Sequence, residues 1–475
     1  MSLTRGVQQA AEKTPDDRNR HVDLLRALAI SVVVAGHWTA VVVTTDDGVE
    51  GSNALSQLSW SHPVTWALQV MPIFFLVGGF ANGASLGSHH RSGGDAAGWL
   101  LNRSARLLRP TTFFLVAVTA AGFTARAFGV DPDLVAMGIW AASIPLWFLA
   151  AYLSLVFLAP LLYAVHRRYG LAFPAAVAAV VLLLDVARLG YGVPLIGSAN
   201  FLLVWLIFHQ LGFSWQDGSL RPRPAYAAAA GAAGLGLLVW LTAFGPYPVS
   251  MVGVPGEELQ NTSPPSFALV LLGLIQTAVA LALRGPANRL LQRGRPWTAV
   301  VAVNAVILTV FLWHMAAAVA TAVVLYGTGV MPEPDVDSGA WLLLRIPWLA
   351  ACAVVLAALV TATSRLEVRS GGGPGRGHAV GDAVLAGGFE LTAAAWRVIT
   401  TLGLVSVVAG LLSIAMADRD YEDVTGFPLW ALAAYLTGAG LLRLARIRQA
   451  GLTRPNGAGR RAGTGTGRRR PGPPD

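Results

Sequence analysis

Charged residues are scarce in this sequence. They make up 12 % of its 475 residues, and hydrophobic residues make up 55 %. Because a soluble domain has about 25 % charged residues, this deficit excludes an ordinary soluble protein and indicates an integral membrane protein. Cysteine is almost lacking as well, since Cys352 stands alone in an apolar run. The chain therefore cannot form an internal disulfide framework or a cysteine metal cluster.

Several familiar motifs are also missing. No zinc-type histidine spacing, P-loop or dinucleotide fingerprint appears, so the sequence predicts no metal site and no nucleotide hydrolysis. No internal repeat is evident, which counts against transporter folds built on duplicated halves. The net charge of +9 comes from basic residues between apolar runs and in the tail. That distribution is typical of membrane topology rather than of nucleic-acid binding.

The sequence does contain a series of apolar runs, each long enough to cross about 30 Å of hydrocarbon. They predict an all-α fold, a polytopic membrane bundle with a ten-helix core and about two extra C-terminal spans. The predicted spans are residues 23–44, 63–86, 110–129, 143–164, 171–187, 198–213, 225–244, 266–283, 298–326, 341–363, 394–415 and 428–445.

The loops between these runs alternate in charge. Arginine-rich loops follow the even-numbered spans, and acidic loops follow most of the odd-numbered ones. By the positive-inside bias, we expect a multi-pass plasma-membrane protein with both termini in the cytoplasm. The first 20 residues are polar and basic, and no convincing cleavage site follows them, so we expect an uncleaved first span.

Composition divides the chain into five predicted segments. A cytoplasmic N-terminal segment precedes the membrane core, and a Gly-rich linker separates that core from a two-span extension. A Gly-, Pro- and Arg-rich tail, which cannot bury a core and is expected to be disordered, ends the chain. The predicted bounds are 1–22, 23–365, 366–382, 383–448 and 449–475.

The first predicted span carries Asp23, Arg26 and His37, and ionisable groups within a membrane default to a functional hypothesis. Arg26 and His37 are eleven residues apart, so they share a helix face about 16 Å apart along its axis, with His37 deeper. Asp23 is expected to pair with Arg26, and a neutral buried imidazole suits a general base. The alternative is structural, with His37 bonding a neighbouring helix and Arg26 reaching lipid phosphate.

Two later features are weaker candidates. Arg103, Arg106 and Arg109 recur every three residues and predict a helical stripe that fits several phosphates. Spacing alone favours the alternative, a cluster that only sets topology. His314 lies within an apolar span, where a catalytic histidine and a packing histidine are equal alternatives.

Other intramembrane polar residues are interpreted as local features. Gly79 and Gly83 predict close helix contact, and Asn82 between them needs a partner. Tyr152 fits an interfacial aromatic belt. His209 is interpreted as a polar point near a span end.

Several of these motifs together resemble the acyltransferase-3 family of membrane acyltransferases. Arg26, ten intervening residues and His37 resemble its Arg/Lys-x10-His signature, within a similar opening at residues 22–30. Four further elements follow in the family's order: a Phe-rich stretch ending in Gly-Phe (72–80), Arg-x-x-Arg (103–106), Trp-Phe-Leu (146–149) and a late histidine-containing span (312–314). The resemblance covers residues 20–365 or so.

The resemblance implies transfer of an acyl group, commonly acetyl, from cytoplasmic acyl-CoA to a hydroxyl of an envelope glycan, glycolipid or secreted small molecule. It implies that His37 is catalytic and that Arg26, Arg103 and Arg106 bind the phosphates of CoA. Many members carry a glutamate after Trp-Phe-Leu, whereas residues 150–152 are Ala-Ala-Tyr here. A proton-coupled transporter or flippase of an anionic or lipid substrate is the alternative from another class, and an idle membrane scaffold is a third.

Overall fold

The chain folds into a bundle of helices with one short β-hairpin. The computed structural model describes residues 3–15, 18–45, 48–371, 392–417 and 425–452. Within those ranges the two antiparallel strands of the hairpin, β1 and β2, are the extended elements of the fold, and Val41 pairs with Asn53 at its open end. The all-α class predicted from the sequence is confirmed.

The elements have the following bounds: α1 Leu3–Glu12, α2 Arg20–Ala40, β1 Val41–Thr44, β2 Glu50–Asn53, α3 Thr65–Leu68, α4 Met71–Arg91, α5 Ala96–Ala127, α6 Pro132–Ser143, α7 Leu146–Tyr169, α8 Ala172–Asp185, α9 Asn200–Gln216, α10 Pro224–Ala243, α11 Phe267–Ala282, α12 Arg284–Leu291, α13 Gly294–Ala305, α14 Ile307–Gly327, α15 Gly339–Gly371, α16 Ala393–Ala415 and α17 Leu429–Leu452.

Among the described residues, ten helices are long and apolar enough to cross a membrane. The helices α11 and α12 meet at a 54° bend and make an eleventh if counted as one broken span. The twelfth predicted span, 428–445, forms α17 but is not among these, so its crossing of the membrane stays a prediction. The predicted ninth span, 298–326, is two helices, because the backbone at Val306 (φ −124°, ψ 15°) leaves the helical region.

The first span ends earlier than its apolar run. The predicted bounds were 23–44, but α2 ends at Ala40 and the chain continues directly into β1. Three consecutive valines, residues 41–43, explain the change, since β-branched side chains favour a strand over a helix. As a result His37 lies in the last turn of α2.

Helices α4 and α9 pack at backbone contact. A Cβ placed on Gly79 would overlap the carbonyl oxygen of His209, and one on Gly212 would overlap that of Leu76. Such close approach is possible only for residues without a side chain. The predicted role of Gly79 in close helix contact is therefore confirmed, and this contact brings Asn82 against α9.

The C-terminal helices α16 and α17 pair with one another and pack on α7 and α5. Tyr435 of α17 is buried, and its hydroxyl donates to the Leu108 carbonyl oxygen at 3.2 Å and lies 2.9 Å from Thr112 Oγ1. Of the predicted linker 366–382, residues up to Gly371 continue α15. The remainder of that linker and the tail from residue 453 lie outside the described residues.

Candidate active site

Two histidines from distant parts of the sequence meet inside the bundle. His37 Nδ1 of α2 lies 2.8 Å from His314 Nε2 of α14, and the two rings are nearly parallel, with an interplanar angle of 13°. His314 is fully buried and His37 is half-buried. The structure therefore joins a strong sequence candidate to a weaker one.

The hydrogen bonds fix the tautomers of this pair. His314 Nδ1 lies 2.7 Å from the carbonyl oxygen of Phe311, which can only accept, so His314 Nδ1 carries the proton. In neutral His314, Nε2 is then an acceptor, and His37 Nδ1–H donates to it. His37 Nε2 is left with a free lone pair, which is the form that a general base requires.

Two tryptophans hold the helices that carry the pair. Trp38 Nε1 donates to the His314 carbonyl oxygen at 2.8 Å, and Trp348 Nε1 of α15 donates to the Trp38 carbonyl oxygen at 2.8 Å. Both indoles are buried. Sequence reasoning missed these contacts, because a tryptophan in an apolar span does not reveal which carbonyl it will reach.

Asp23 and Arg26 lie about one turn apart near the start of α2, as the sequence predicts. The distance between Arg26 Nη1 and Asp23 Oδ1 is 3.7 Å. A residue that the sequence analysis overlooked binds Asp23 more closely, since Arg18 Nε lies 2.6 Å from Oδ2 and Arg18 Nη2 lies 3.2 Å from Oδ1. This hydrogen bond raises the pKa of the Arg18 guanidinium. Asp23 is thus shared between two arginines, and Arg26 is only partly neutralised.

Arg103 joins the same region. Its Nη2 donates to the Tyr152 hydroxyl at 3.2 Å, and its charge lies within electrostatic range of both Arg26 and His209. Tyr152, interpreted from the sequence as part of an interfacial belt, thus has a specific partner, because its hydroxyl accepts from the half-buried Arg103. His209 also departs from its interpretation as a local polar point, since its Nε2 lies 3.0 Å from Asn82 Nδ2 of α4.

The predicted arginine stripe does not converge on one place. Each step of three residues turns a helix position by about 60° back around the axis, so Arg109 lies about 120° from Arg103. Arg103 faces the bundle, whereas Arg106 and Arg109 are exposed. Of the three arginines, Arg103 alone lies close to the α2 residues.

Three polar atoms around Arg103 are buried without a hydrogen-bond partner in the described part of the chain. They are Arg103 Nε, Asn82 Oδ1 and His209 Nδ1. Buried polar atoms are nearly always paired with protein or water. We call the group of Arg26, Arg103, Asn82, Tyr152 and His209 the polar cluster, and its unused donors and acceptor give it capacity for a polar ligand.

No metal site accompanies these residues. Within the described ranges, no three histidine, cysteine, aspartate or glutamate side chains come close enough together to hold a metal ion.

The comparison with protein families finds a family model that matches most of the sequence. The family model described as an acyltransferase domain, that of the acyltransferase-3 family, matches residues 19–364. Neither the comparison with curated proteins nor that with solved structures gives a match. The matched range contains the histidine pair and the polar cluster and ends within α15, before the C-terminal pair of helices. The chain belongs to the acyltransferase-3 family and is a membrane enzyme that transfers acyl groups.

Proposed function

We propose that this enzyme moves an acetyl or other short acyl group from cytoplasmic acyl-CoA to a hydroxyl of an envelope glycan, a glycolipid or a secreted small molecule. The observation that carries the proposal is the contact of His37 Nδ1 with His314 Nε2, together with that of His314 Nδ1 with the Phe311 carbonyl oxygen. These contacts leave His37 Nε2 with a free lone pair inside the bundle, because the other ring nitrogen, Nδ1, donates its proton to His314 Nε2. Such a base suits removal of a proton from a hydroxyl.

The donor end of the site is the polar cluster with Asp23 and Arg18 beside it. Arg18, Arg26 and Arg103 bring three positive charges near one carboxylate, that of Asp23. Guanidinium groups match phosphate oxygens in geometry, so the excess positive charge supports binding of the CoA phosphates here. The exposed Arg106 and Arg109 are left to attract the donor toward the bundle from the surface.

The distance between the arginine end of the site and His37 suits a long, thin donor. About 16 Å along α2 separates Arg26 from His37, a span comparable to the pantetheine arm of CoA. The unpartnered atoms of the polar cluster lie beside the arginines and suit the amide groups of that arm. By the positive-inside bias the arginine-rich end faces the cytoplasm, where acyl-CoA is found, and the acceptor enters from the opposite side.

In the proposed reaction, His37 Nε2 removes the proton from the acceptor hydroxyl as its oxygen attacks the thioester carbonyl carbon. The carbon–sulfur bond then breaks, an ester forms, and the departing thiolate takes the proton from His37 to leave as CoA thiol. His314 keeps His37 Nδ1–H in place and shares the positive charge that His37 carries during the reaction.

This pair replaces the carboxylate partner that the family resemblance led us to consider. The rings of His37 and His314 bond one another, and His314 also bonds the backbone near Phe311; among the described residues no ion pair joins either ring to a carboxylate. A neutral imidazole stabilises the transient cation less than a carboxylate does, but it fixes the tautomer equally well. The family assignment also favours acyl transfer over the transporter alternative.

The test combines product analysis with one variant. Mass spectrometry of lipids, glycans and secreted products, from cells with and without the protein, is expected to show a difference of one acyl mass. Purified His37→Ala protein, supplied with acetyl-CoA and the acceptor so identified, is expected to form no product. His90→Ala, at an exposed position in α4, is the matched control and is expected to remain active. Undiminished transfer by His37→Ala would overturn the proposed mechanism.

A further inference from the structure

Arg345 is a buried charge in the membrane bundle that the sequence motifs do not include. It lies in α15, is 6 % exposed, and belongs to none of the ion pairs formed by the described residues. Its guanidinium carbon lies 4.4 Å from the ring centroid of Trp341 and 5.7 Å from that of Trp348. A buried charge is costly within a membrane and marks a functional site by default.

Among the described residues, the hydrogen bond of the Arg345 side chain reaches the end of α2. Its Nη1 donates to the Val41 carbonyl oxygen at 2.8 Å. Val41 is the residue that caps α2, and its own amide donates to the carbonyl oxygen of His37. A cation next to the last carbonyls of a helix is stabilised by the helix dipole. Arg345 thus holds the residue that closes the helical turn of His37.

A second attachment lies one turn along α15. Trp348 donates to the carbonyl oxygen of Trp38, the residue that follows His37, and the Arg345 guanidinium lies over the same indole. The segment from 38 to 41 is therefore held at both of its ends by neighbouring side chains of one helix. Trp38 in turn donates to the backbone of His314.

We propose that Arg345 is a positioning residue for acyl transfer: it fixes the last turn of α2 so that His37 stays aligned on His314. The proposal rests on the proposed role of His37 as the base. The guanidinium suits this task because it donates to Val41 and lies over two indole rings at once. Without this hydrogen bond, Val41 and the last turn of α2 are less restrained, and His37 can shift away from α14.

The first experiment compares Arg345→Met with Arg345→Lys in purified protein. Misplacement of a reacting group by about 1 Å costs up to about 100-fold in rate, so Arg345→Met is expected to lower kcat by about 10- to 100-fold. The KM for acyl-CoA is expected to stay within about twofold, because the arginines proposed to bind CoA lie at the other end of α2. Arg345→Lys keeps the charge and one donor and is expected to recover part of kcat.

The matched control is Arg126→Met. Arg126 lies in the last turn of α5, is partly buried, and also has an Nε without a partner in the described part of the chain. No hydrogen bond or ion pair of the described residues joins Arg126 to α2, so we expect unchanged kinetics. Elution profile and thermal unfolding in detergent check that each variant is folded. If Arg345→Met does not fold, Trp348→Phe, which removes the neighbouring hydrogen bond to α2, is measured instead.

A double-variant experiment separates positioning from general stabilisation. In a His314→Gln background the alignment is already altered, so adding Arg345→Met is expected to change kcat by less than about threefold. Equal kcat in Arg345→Met and Arg126→Met, or full additivity with His314→Gln, would overturn the role of Arg345. If either of those outcomes is found but His37→Ala is inactive, the proposed function stands and only the role of Arg345 is lost. Undiminished activity in His37→Ala overturns the proposed function itself.

Discussion

Helix α2 carries two polar regions that differ in how completely they are paired. Around His37 the ring nitrogens that face His314 and Phe311 are hydrogen-bonded and two indoles hold the backbone, which leaves His37 Nε2 open for the reaction. Around Arg26 the charges are unbalanced, and polar atoms of neighbouring residues lack partners. The first region is suited to hold one geometry, whereas the second is suited to receive an anion.

Removal of His314 is the variant expected to have the largest effect on the paired region around His37. His314→Ala leaves His37 Nδ1–H without an acceptor and frees the ring to change tautomer. General acid–base catalysis contributes about 10²- to 10⁴-fold, so we expect kcat to fall by a factor in that range while the KM for acyl-CoA changes little. His314→Gln retains an acceptor oxygen and is expected to keep part of the activity. Wild-type kcat in His314→Ala would mean that the pair is only a packing contact.

Substitutions in the arginine region are expected to change the KM for acyl-CoA rather than kcat. Arg26→Met and Arg103→Met each remove a charge-assisted hydrogen bond worth about 1.5–3 kcal/mol, so the KM for acyl-CoA is expected to rise by about tenfold or more, with a smaller change in kcat. The double variant Arg106→Met with Arg109→Met is the control, since both side chains are exposed, and we expect less than about threefold change. If kcat alone fell in Arg103→Met, binding of the donor phosphates here would be wrong.

A finer test removes one hydroxyl from the polar cluster. Tyr152→Phe deletes the acceptor of the Arg103 guanidinium, a loss of about 1 kcal/mol that corresponds to about fivefold in binding. We expect the KM for acyl-CoA to rise by about that factor and kcat to stay constant. Tyr169→Phe, at an exposed position at the end of α7, should have no effect. Equal kinetics in the two variants would remove Tyr152 from the donor site.

The smallest effect is expected outside both regions. Tyr435→Phe deletes the hydroxyl by which the C-terminal pair of helices bonds α5. We expect a loss of about 1 kcal/mol in the free energy of unfolding, visible as a lower Tm in detergent, with transfer kinetics unchanged. A rise in the KM for acyl-CoA instead would show that these helices act on the arginines of α5.

The sequence predicted the parts of the site that depend on one helix. The shared face of Arg26 and His37 and the pairing of Asp23 with Arg26 follow from helical periodicity alone. The early end of α2 was also readable, since three valines follow Ala40. The histidine pair was not, because 277 residues separate its members and only tertiary packing selects which α14 side chain faces α2.

The arginine stripe shows the converse limit. Its spacing is regular, but a step of three residues falls short of a full turn, so the side chains spread around α5 instead of lining up. Arg18 was overlooked for a different reason, since it precedes the helix and no periodicity links it to Asp23. Arg345 lies within an apolar run where a single charge is easily passed over, and its partner on β1 is a backbone carbonyl that no sequence motif encodes.

The neutrality of the histidine pair has a consequence for energetics across the membrane. In the proposed reaction the acyl group moves to the acceptor in exchange for the hydroxyl proton, which leaves with CoA on the donor side. The reacting groups on each side are neutral before and after, so no net charge crosses and the membrane potential does not alter the equilibrium. During each turnover, however, His37 carries a positive charge at a position inside the transmembrane electric field. Moving one elementary charge across the whole membrane changes the free energy by about 2.3 kcal/mol per 100 mV. Voltage can therefore change the speed of transfer but not its extent, and the thioester alone supplies the driving force.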